Sequence, residues 1–384
     1  MAVRCRPGST VRGCERGDPV AARIGVVGAG WWATRAHLPA ILANPDAELA
    51  AIADPIDDKR DRAVAAFGPE RAYRSHTEML DGESLDGVVI AVPHMAHYQV
   101  ALDALEAGAH LMLEKPMVVE FDHAARLLTE SADRGLEIVV GYPYHYNQQV
   151  LAVREWIASG EIGELLYVHS LFASIVWELF RGDVDLVADA VGFTITPTGT
   201  DTYGDPAVSG GGQAIVQITH SAALLLFMTG LEPVDVFAFM ENKDLRVDLV
   251  DAMAVRFEGG CIGTIGSTGS TVRTQEELLE YRLYGTGGHI LFDLAASQLG
   301  LYRADGSTEH NPAGPTVGAR TYREAYPEDA PLNNLVDIVL GRDGNHSPPQ
   351  LGAAVVGLLE AAYASARTGT RQAVPGNHKQ KEAI

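Results

Sequence analysis

Two side chains in this sequence could move a proton near neutral pH, and each stands where the local pattern sets it apart. Lys115 ends the apolar run Leu111-Met112-Leu113 as part of Glu114-Lys115-Pro116. A lysine just past a buried strand is either a solvated strand end or an amine held at a site. His220 lies in the mostly apolar run from Gln213 to Met228, which opens on Gly210-Gly211-Gly212 and is stopped by Gly230. A histidine there is either packed in the core or part of a site. Gln213 and Gln217 fall on the same helical face as His220, which favours the site. An imidazole with an ordinary pKa of about 6.5 suits proton transfer near neutrality. A lysine serves as a base if its pKa is lowered, or stays charged and polarises an oxygen. The chemistry this points to is proton transfer.

The elements that must position Lys115 come earlier in the chain. Arg23-Ile24-Gly25-Val26-Val27 reads as a short strand, followed by Gly28-Ala29-Gly30-Trp31-Trp32-Ala33 and a helix to about Asn44. A strand, G-x-G-x-x-A and a helix form the dinucleotide fingerprint in its required context. Gly28 permits the tight turn, Gly30 the approach of a pyrophosphate and Ala33 close packing of helix on strand. Asp54 ends the second strand, where an acid accepts hydrogen bonds from a ribose 2′-hydroxyl and repels a 2′-phosphate. NAD is therefore favoured over NADP, although Lys59 and Arg60 follow closely. The alternation continues through Gly87–Val92, closed by Pro93, then His110–Leu113 and Leu136–Gly141 as fifth and sixth strands. This is a doubly wound α/β sheet, whose ligand lies beyond the carboxyl ends of the strands. Gly28, Ala29, Gly30, Trp31, Trp32, Asp54, Pro93, Glu114 and Lys115 all fall there. His94 and His97 frame a helix start; His97 is assigned to the cofactor side, and no metal site is expected.

Composition excludes several classes. The 384 residues suggest two domains, with 47% hydrophobic and 21% charged residues. A net charge of −21 disfavours nucleic acid and anionic membranes. No uninterrupted apolar run suggests a membrane span. Three cysteines, Cys5, Cys14 and Cys261, form no disulfide or zinc pattern, so a reducing cytoplasm is expected. Residues 1–21 read as a tail.

Taken in order, Gly28-Ala29-Gly30-x-x-Ala33, Asp54, Val92-Pro93 with His97, Glu114-Lys115-Pro116 and Gly210-Gly211-Gly212 before His220 resemble the glucose–fructose oxidoreductase, inositol dehydrogenase and MocA (Gfo/Idh/MocA) family. The likeness runs over about 22–370. It implies NAD(P)-dependent oxidation or reduction of a ring hydroxyl on a sugar or cyclitol. It also implies a C-terminal α/β domain on an open, mainly antiparallel sheet, and a homodimer or homotetramer. Many relatives carry an Asp four residues before the His; here that position is Val216. Lys115 and His220 would then be the catalytic residues, without the usual acid.

The domains are expected at 22–141, for NAD(P) binding, and 142–371, for substrate and assembly, with a tail from 372. The junction Tyr142-Pro143-Tyr144-His145-Tyr146 either packs the interface or flanks a sugar ring; His145 is a candidate substrate contact. The polar stretch from Arg181 to Asp205 could cover the pocket, with Tyr203 as a contact, and Gln217 would orient the substrate. Strands are expected at 234–240, 247–257, 261–268, 278–284 and 289–293, and helices near 331–340 and 348–366. Two other readings remain: glycoside cleavage or elimination through transient oxidation by a retained cofactor, and a non-catalytic cofactor-binding regulator.

Overall fold

The computed structural model describes residues 21–183, 202–272, 277–310 and 326–376. Short runs that are apolar on both faces build the first sheet, because a strand covered by helices on each side exposes neither face. Its strands are β1 (Ala22–Val27), β2 (Ala47–Ala53), β3 (Arg71–Tyr73), β4 (Gly87–Ile90), β5 (His110–Leu113) and β6 (Ile138–Val140). They are parallel and ordered β3-β2-β1-β4-β5-β6. The order reverses between β1 and β4, and the crevice at their carboxyl ends is where such sheets bind ligands.

The second sheet has nine strands: β7 (Leu165–Ala173), β8 (Pro233–Glu241), β9 (Val250–Phe257), β10 (Ile262–Thr268), β11 (Leu278–Gly285), β12 (Gly288–Asp293), β13 (Gln298–Arg303), β14 (Thr308–His310) and β15 (Gln372–Ala373). The order is β14-β13-β12-β11-β7-β10-β9-β8-β15, antiparallel except where β7 meets β10. Strand β9 alternates strictly: Met253, Val255 and Phe257 are buried, while Ala252, Ala254 and Arg256 are exposed. The inner face packs against the helices Thr219–Thr229 and Pro349–Thr368. The segment Pro206–Thr229 has the length and apolarity of a membrane helix, but 89% of its apolar window is buried within the fold. The expected fold class, a Rossmann sheet plus a mainly antiparallel one, is the one observed.

Two details depart from the expected boundaries. The helix Ala330–Val339 belongs by position to the second domain, yet its Leu332, Leu335 and Val336 pack with Ile24, Val26 and Val89 of the first sheet. The first domain thus takes a covering helix from late in the chain. Residues 372 and 373, expected in a tail, pair with β8. The acidic stretch expected over the pocket lies mostly outside the described residues, as does nearly all of the N-terminal tail.

Candidate active site

The glycine loop is built as its residue types require. Gly28 has φ +95°, and a Cβ there would lie 2.3 Å from the Ala91 carbonyl oxygen, so only glycine lets β1 turn this close to the end of β4. Asp54 sits at the end of β2, 6% exposed. Its Oδ2 accepts the amide of Ala29 at 2.8 Å and its Oδ1 that of Ile56 at 2.8 Å. Arg60 is occupied as well, donating to the Asp54 carbonyl at 3.0 Å and to Asp57 at 2.6 Å. The cleft therefore fits a dinucleotide: a tightly turned loop, a helix start and an acid at the ribose position.

Glu114 is the hub beside it. Its Oε1 accepts from Trp32 Nε1 at 2.7 Å and lies 2.9 Å from His37 Nε2; its Oε2 accepts the Lys115 amide at 3.1 Å. Burial pushes this carboxyl up, but His37, the Lys115 charge and Trp32 together hold it below the ordinary value. Trp32 and His37 are five residues apart, which in a 3.6-residue helix turns their side chains about 140° from one another. Here Ala33–His37 is a π turn. Its wider i to i+5 spacing brings residues five apart to one side, and both reach the same oxygen.

Lys115 is joined to Pro116 by a cis peptide bond. Its Nζ donates to the main-chain oxygen of Val216 at 3.1 Å. Burial lowers its pKa from 10.5 to about 8, with Glu114 opposing. Val216 is itself in a π turn, Ala214–Ile218. Its side chain is buried with Val176, Leu179, Phe180, Val247 and Leu249. Thus the residue standing where the family resemblance implies an acid meets the amine with a backbone carbonyl.

His220 is one turn further on. Its ring lies 6.2 Å from Tyr142, 6.0 Å from Tyr144 and 6.2 Å from Tyr326. Burial, then the charges of Lys115 and His145, depress its pKa well below 6.5, so it is neutral. Its buried Nδ1 has no hydrogen-bond partner among the described residues. Tyr326 also meets Trp32, at 6.1 Å, linking the His220 aromatic cluster to the glycine loop.

Other expected site residues are placed differently. Gln213 does not share the His220 face, because the intervening π turn shifts the register; its Nε2 donates to Ser267 on β10 at 2.7 Å. Gln217 is half-buried within that turn. His145 is 1% exposed, stacked on Phe227 at 4.2 Å and 3.1 Å from the Ser347 hydroxyl, behind His220 rather than in the cleft. His97 is fully buried, its ring nitrogens 2.8 Å from the Pro116 oxygen and 3.0 Å from that of Val92. It clamps the loops after β4 and β5 instead of presenting a free edge to a cofactor. Pro93 caps the short turn beginning at His94. Trp31 donates to the Tyr203 hydroxyl at 3.1 Å, and His94 to the Ser209 oxygen at 2.8 Å, tying the glycine loop and the β4 end to the second domain. The sequence reading missed His37 and Tyr326. His37 had one usable signal, a histidine within an otherwise apolar helical stretch just after the fingerprint.

No group of three or more His, Cys, Asp or Glu side chains suited to a metal occurs among the described residues. Residues 22–142 match the oxidoreductase family with an NAD-binding Rossmann fold, and residues 150–291 match the GFO/IDH/MocA C-terminal domain. The chain belongs to the Gfo/Idh/MocA oxidoreductase family. Its first domain is therefore the family's NAD-binding domain. Among curated relatives, a dTDP-3,4-didehydro-2,6-dideoxy-alpha-D-glucose 3-reductase of Streptomyces violaceoruber is 33% identical over 40% of this chain and 44% of its own. The chain spans between 44 and 52% of the length of three such curated reductases and 75% of a fourth, from Saccharopolyspora spinosa. A D-xylose 1-dehydrogenase (NADP(+)) of Haloferax volcanii is 27% identical over 90% of this chain and 98% of its own. The structure of a levoglucosan dehydrogenase with NADH superposes with a TM-score of 0.77 at 19% identity, covering 92% of this chain and 99% of that one. That likeness is one of fold.

Proposed function

We propose that this family member is an NAD-dependent oxidoreductase acting between nicotinamide and a ring hydroxyl or ketone of a sugar, cyclitol or glycoside. The observation that carries the reading is Lys115: an amine with a pKa near 8, held by the Val216 carbonyl beside His220, at the carboxyl edge of an NAD-binding sheet. The relatives named for sugar substrates support the substrate class.

NAD, when bound, supplies the hydride acceptor. The glycine loop and Asp54 would hold it. Lys115 in its neutral form takes the hydroxyl proton, and the resulting ammonium keeps its bond to Val216 and the nearby Glu114 charge. A pKa near 8 matches this task, because a general base works best when its pKa lies close to the operating pH. His220, neutral and of low basicity, donates or accepts a hydrogen bond at the same oxygen. The usual acid is replaced by a carbonyl that holds the amine without exchanging a proton with it. In the reverse direction Lys115 returns the proton to the forming hydroxyl.

A screen of sugars, cyclitols and glycosides for NADH formation, run beside NADP, tests the reading. Lys115→Met should lose turnover while binding NADH as before; undiminished turnover in that variant refutes the assignment. Cleavage without net NADH would indicate transient oxidation instead. We further propose a homodimer or homotetramer through the outer sheet face, where Phe239 on β8, Ile262 on β10 and Leu166 on β7 stay more than half exposed. Light scattering that finds a monomer overturns that part. A cytoplasmic location fits the free, buried Cys261.

A further inference from the structure

The three glycines before the site helix have a use that the proposed reaction does not by itself explain. A Cβ on Gly211 would lie 2.2 Å from the Tyr363 hydroxyl, and one on Gly212 only 2.1 Å from the Asp248 main-chain oxygen. Gly210 has φ +81° and would press a Cβ into Val119 at 2.6 Å. Together they form a socket that side chains would fill. Asp248 occupies it. Its Oδ1 accepts the Gly212 amide at 2.9 Å, its Oδ2 the Ala214 amide at 2.7 Å, and its main-chain oxygen the Gln213 amide at 2.8 Å. Tyr363, from the helix Pro349–Thr368, donates its hydroxyl to Oδ1 at 2.6 Å. Three consecutive amides at the helix start thus end on one residue, 4% exposed.

The cap sits directly on the reacting groups' support. Ala214 opens the π turn whose Val216 carbonyl holds the Lys115 amine, and His220 follows one turn later. A buried carboxylate at a helix start is stabilised by the free amides and the positive end of the helix dipole. Asp251 adjoins it across the start of β9, and both of its buried oxygens lack partners among the described residues. Burial first, and then the Asp248 charge, raise its pKa to about 9. Asp251 therefore keeps its proton at neutral pH. Tyr363 also faces the pair, and burial followed by the Asp248 charge keeps it protonated.

We propose that Asp248, locked by Tyr363, is a positioning residue of the active site: it fixes the start of the helix so that the Val216 carbonyl and His220 stand at Lys115. The proposal rests on the reading of Lys115 and His220 as the acid–base pair, since Asp248 touches neither reacting group.

The test reads Lys115 without needing a substrate. The chain has five lysines, so carbon-13 reductive methylation gives few resonances, and Lys115 is assigned by its loss in Lys115→Met. In Asp248→Asn, the side-chain NH2 replaces one accepting oxygen and faces a backbone N–H, and the cap fails. Water then reaches Lys115, whose titration midpoint rises by about half a pH unit or more. The NADH dissociation constant stays within about two-fold, because the glycine loop is untouched, while turnover on any substrate found falls about ten-fold with little change in KM. Tyr363→Phe removes one bond, leaves both caps, and gives a smaller rise in the same direction; it decides the matter if Asp248→Asn does not fold. An unmoved or lowered midpoint overturns the proposal, as does a loss of NADH affinity equal to the loss of turnover. The two ideas fail separately. Turnover surviving Lys115→Met removes the acid–base reading but leaves the lysine titration as a report on the cap, whereas an unmoved titration removes the cap proposal alone.

Discussion

Replacing Lys115 by Met should make the protein more stable at neutral pH, and the gain should disappear in alkali. The amine is charged in the unfolded chain up to about pH 10.5, whereas burial in the fold lowers its pKa to about 8. A lysine depressed in this way costs stability in full below about pH 8; the cost fades as pH rises toward 10.5, because over that window only the unfolded chain still holds the proton. The gap between the two values corresponds to about 3 kcal/mol. This is a ceiling, because the side chain is half-buried and keeps one edge on the cleft. The difference in unfolding free energy between Lys115→Met and the parent should therefore be largest near pH 7 and shrink by up to that amount toward pH 10. Urea unfolding of both proteins, followed by fluorescence at matched pH, measures it; effects common to both chains cancel. Lys115→Arg is the control, since a guanidinium does not deprotonate in this range and its penalty should persist at every pH. A Met-minus-parent difference that stays flat from about pH 7 to about pH 10 would refute the buried-amine argument and, with it, the reason for choosing Lys115 as base.

Three further outcomes follow from buried groups and close contacts. Glu114→Gln leaves Trp32, His37 and the Lys115 amide competing for one acceptor and should cost about 3 kcal/mol. Because the parent carboxyl is held low, that contribution is present above the ordinary carboxylate range and lost as pH falls through its folded value, so the two unfolding curves should converge in acid. Asp251→Asn should raise the melting temperature, with no gain below about pH 4 and a growing one toward pH 9, since the parent must hold an uncharged acid that the unfolded chain ionises; a less stable variant at pH 8 would mean an ionised, paired Asp251. Gly212→Ala drives a methyl into the Asp248 backbone and should cost about 1–3 kcal/mol by denaturant unfolding.

Much of the cleft was legible before any coordinates, for a specific reason in each case. The strand, glycine turn and helix at 24–44 are contiguous, so local propensity and the missing Cβ of Gly28 specify the turn. Lys115 could be placed because it ends a buried strand beside others whose ends were already assigned. His145 stayed open between junction packing and substrate contact because an aromatic cluster at a domain junction reads the same whether it faces substrate or Phe227. Gln213 was misplaced because a 3.6-residue period was assumed through Ala214–Ile218, where the helix widens. Late in the chain, the helix Ala330–Val339 carries the apolar spacing of a covering helix, but spacing does not say which sheet it covers.

The order of residues by itself determined two sheets of different kinds and the end of the first where a dinucleotide lies, and it singled out Lys115 and His220 as candidates for proton transfer. These rest on short-range periodicity and on the chemistry of single residue types. Only the tertiary structure decided how those groups are held. Glu114 gathers Trp32 and His37 from about eighty residues earlier, Lys115 finds the carbonyl of Val216 about a hundred residues later, and Asp248 enters a socket made by glycines thirty-six residues before it. Each is a hydrogen bond closed across a long loop, made available by a π turn or a missing side chain. Such bonds depend on how segments distant in the chain come together, and no local pattern in the chain records that.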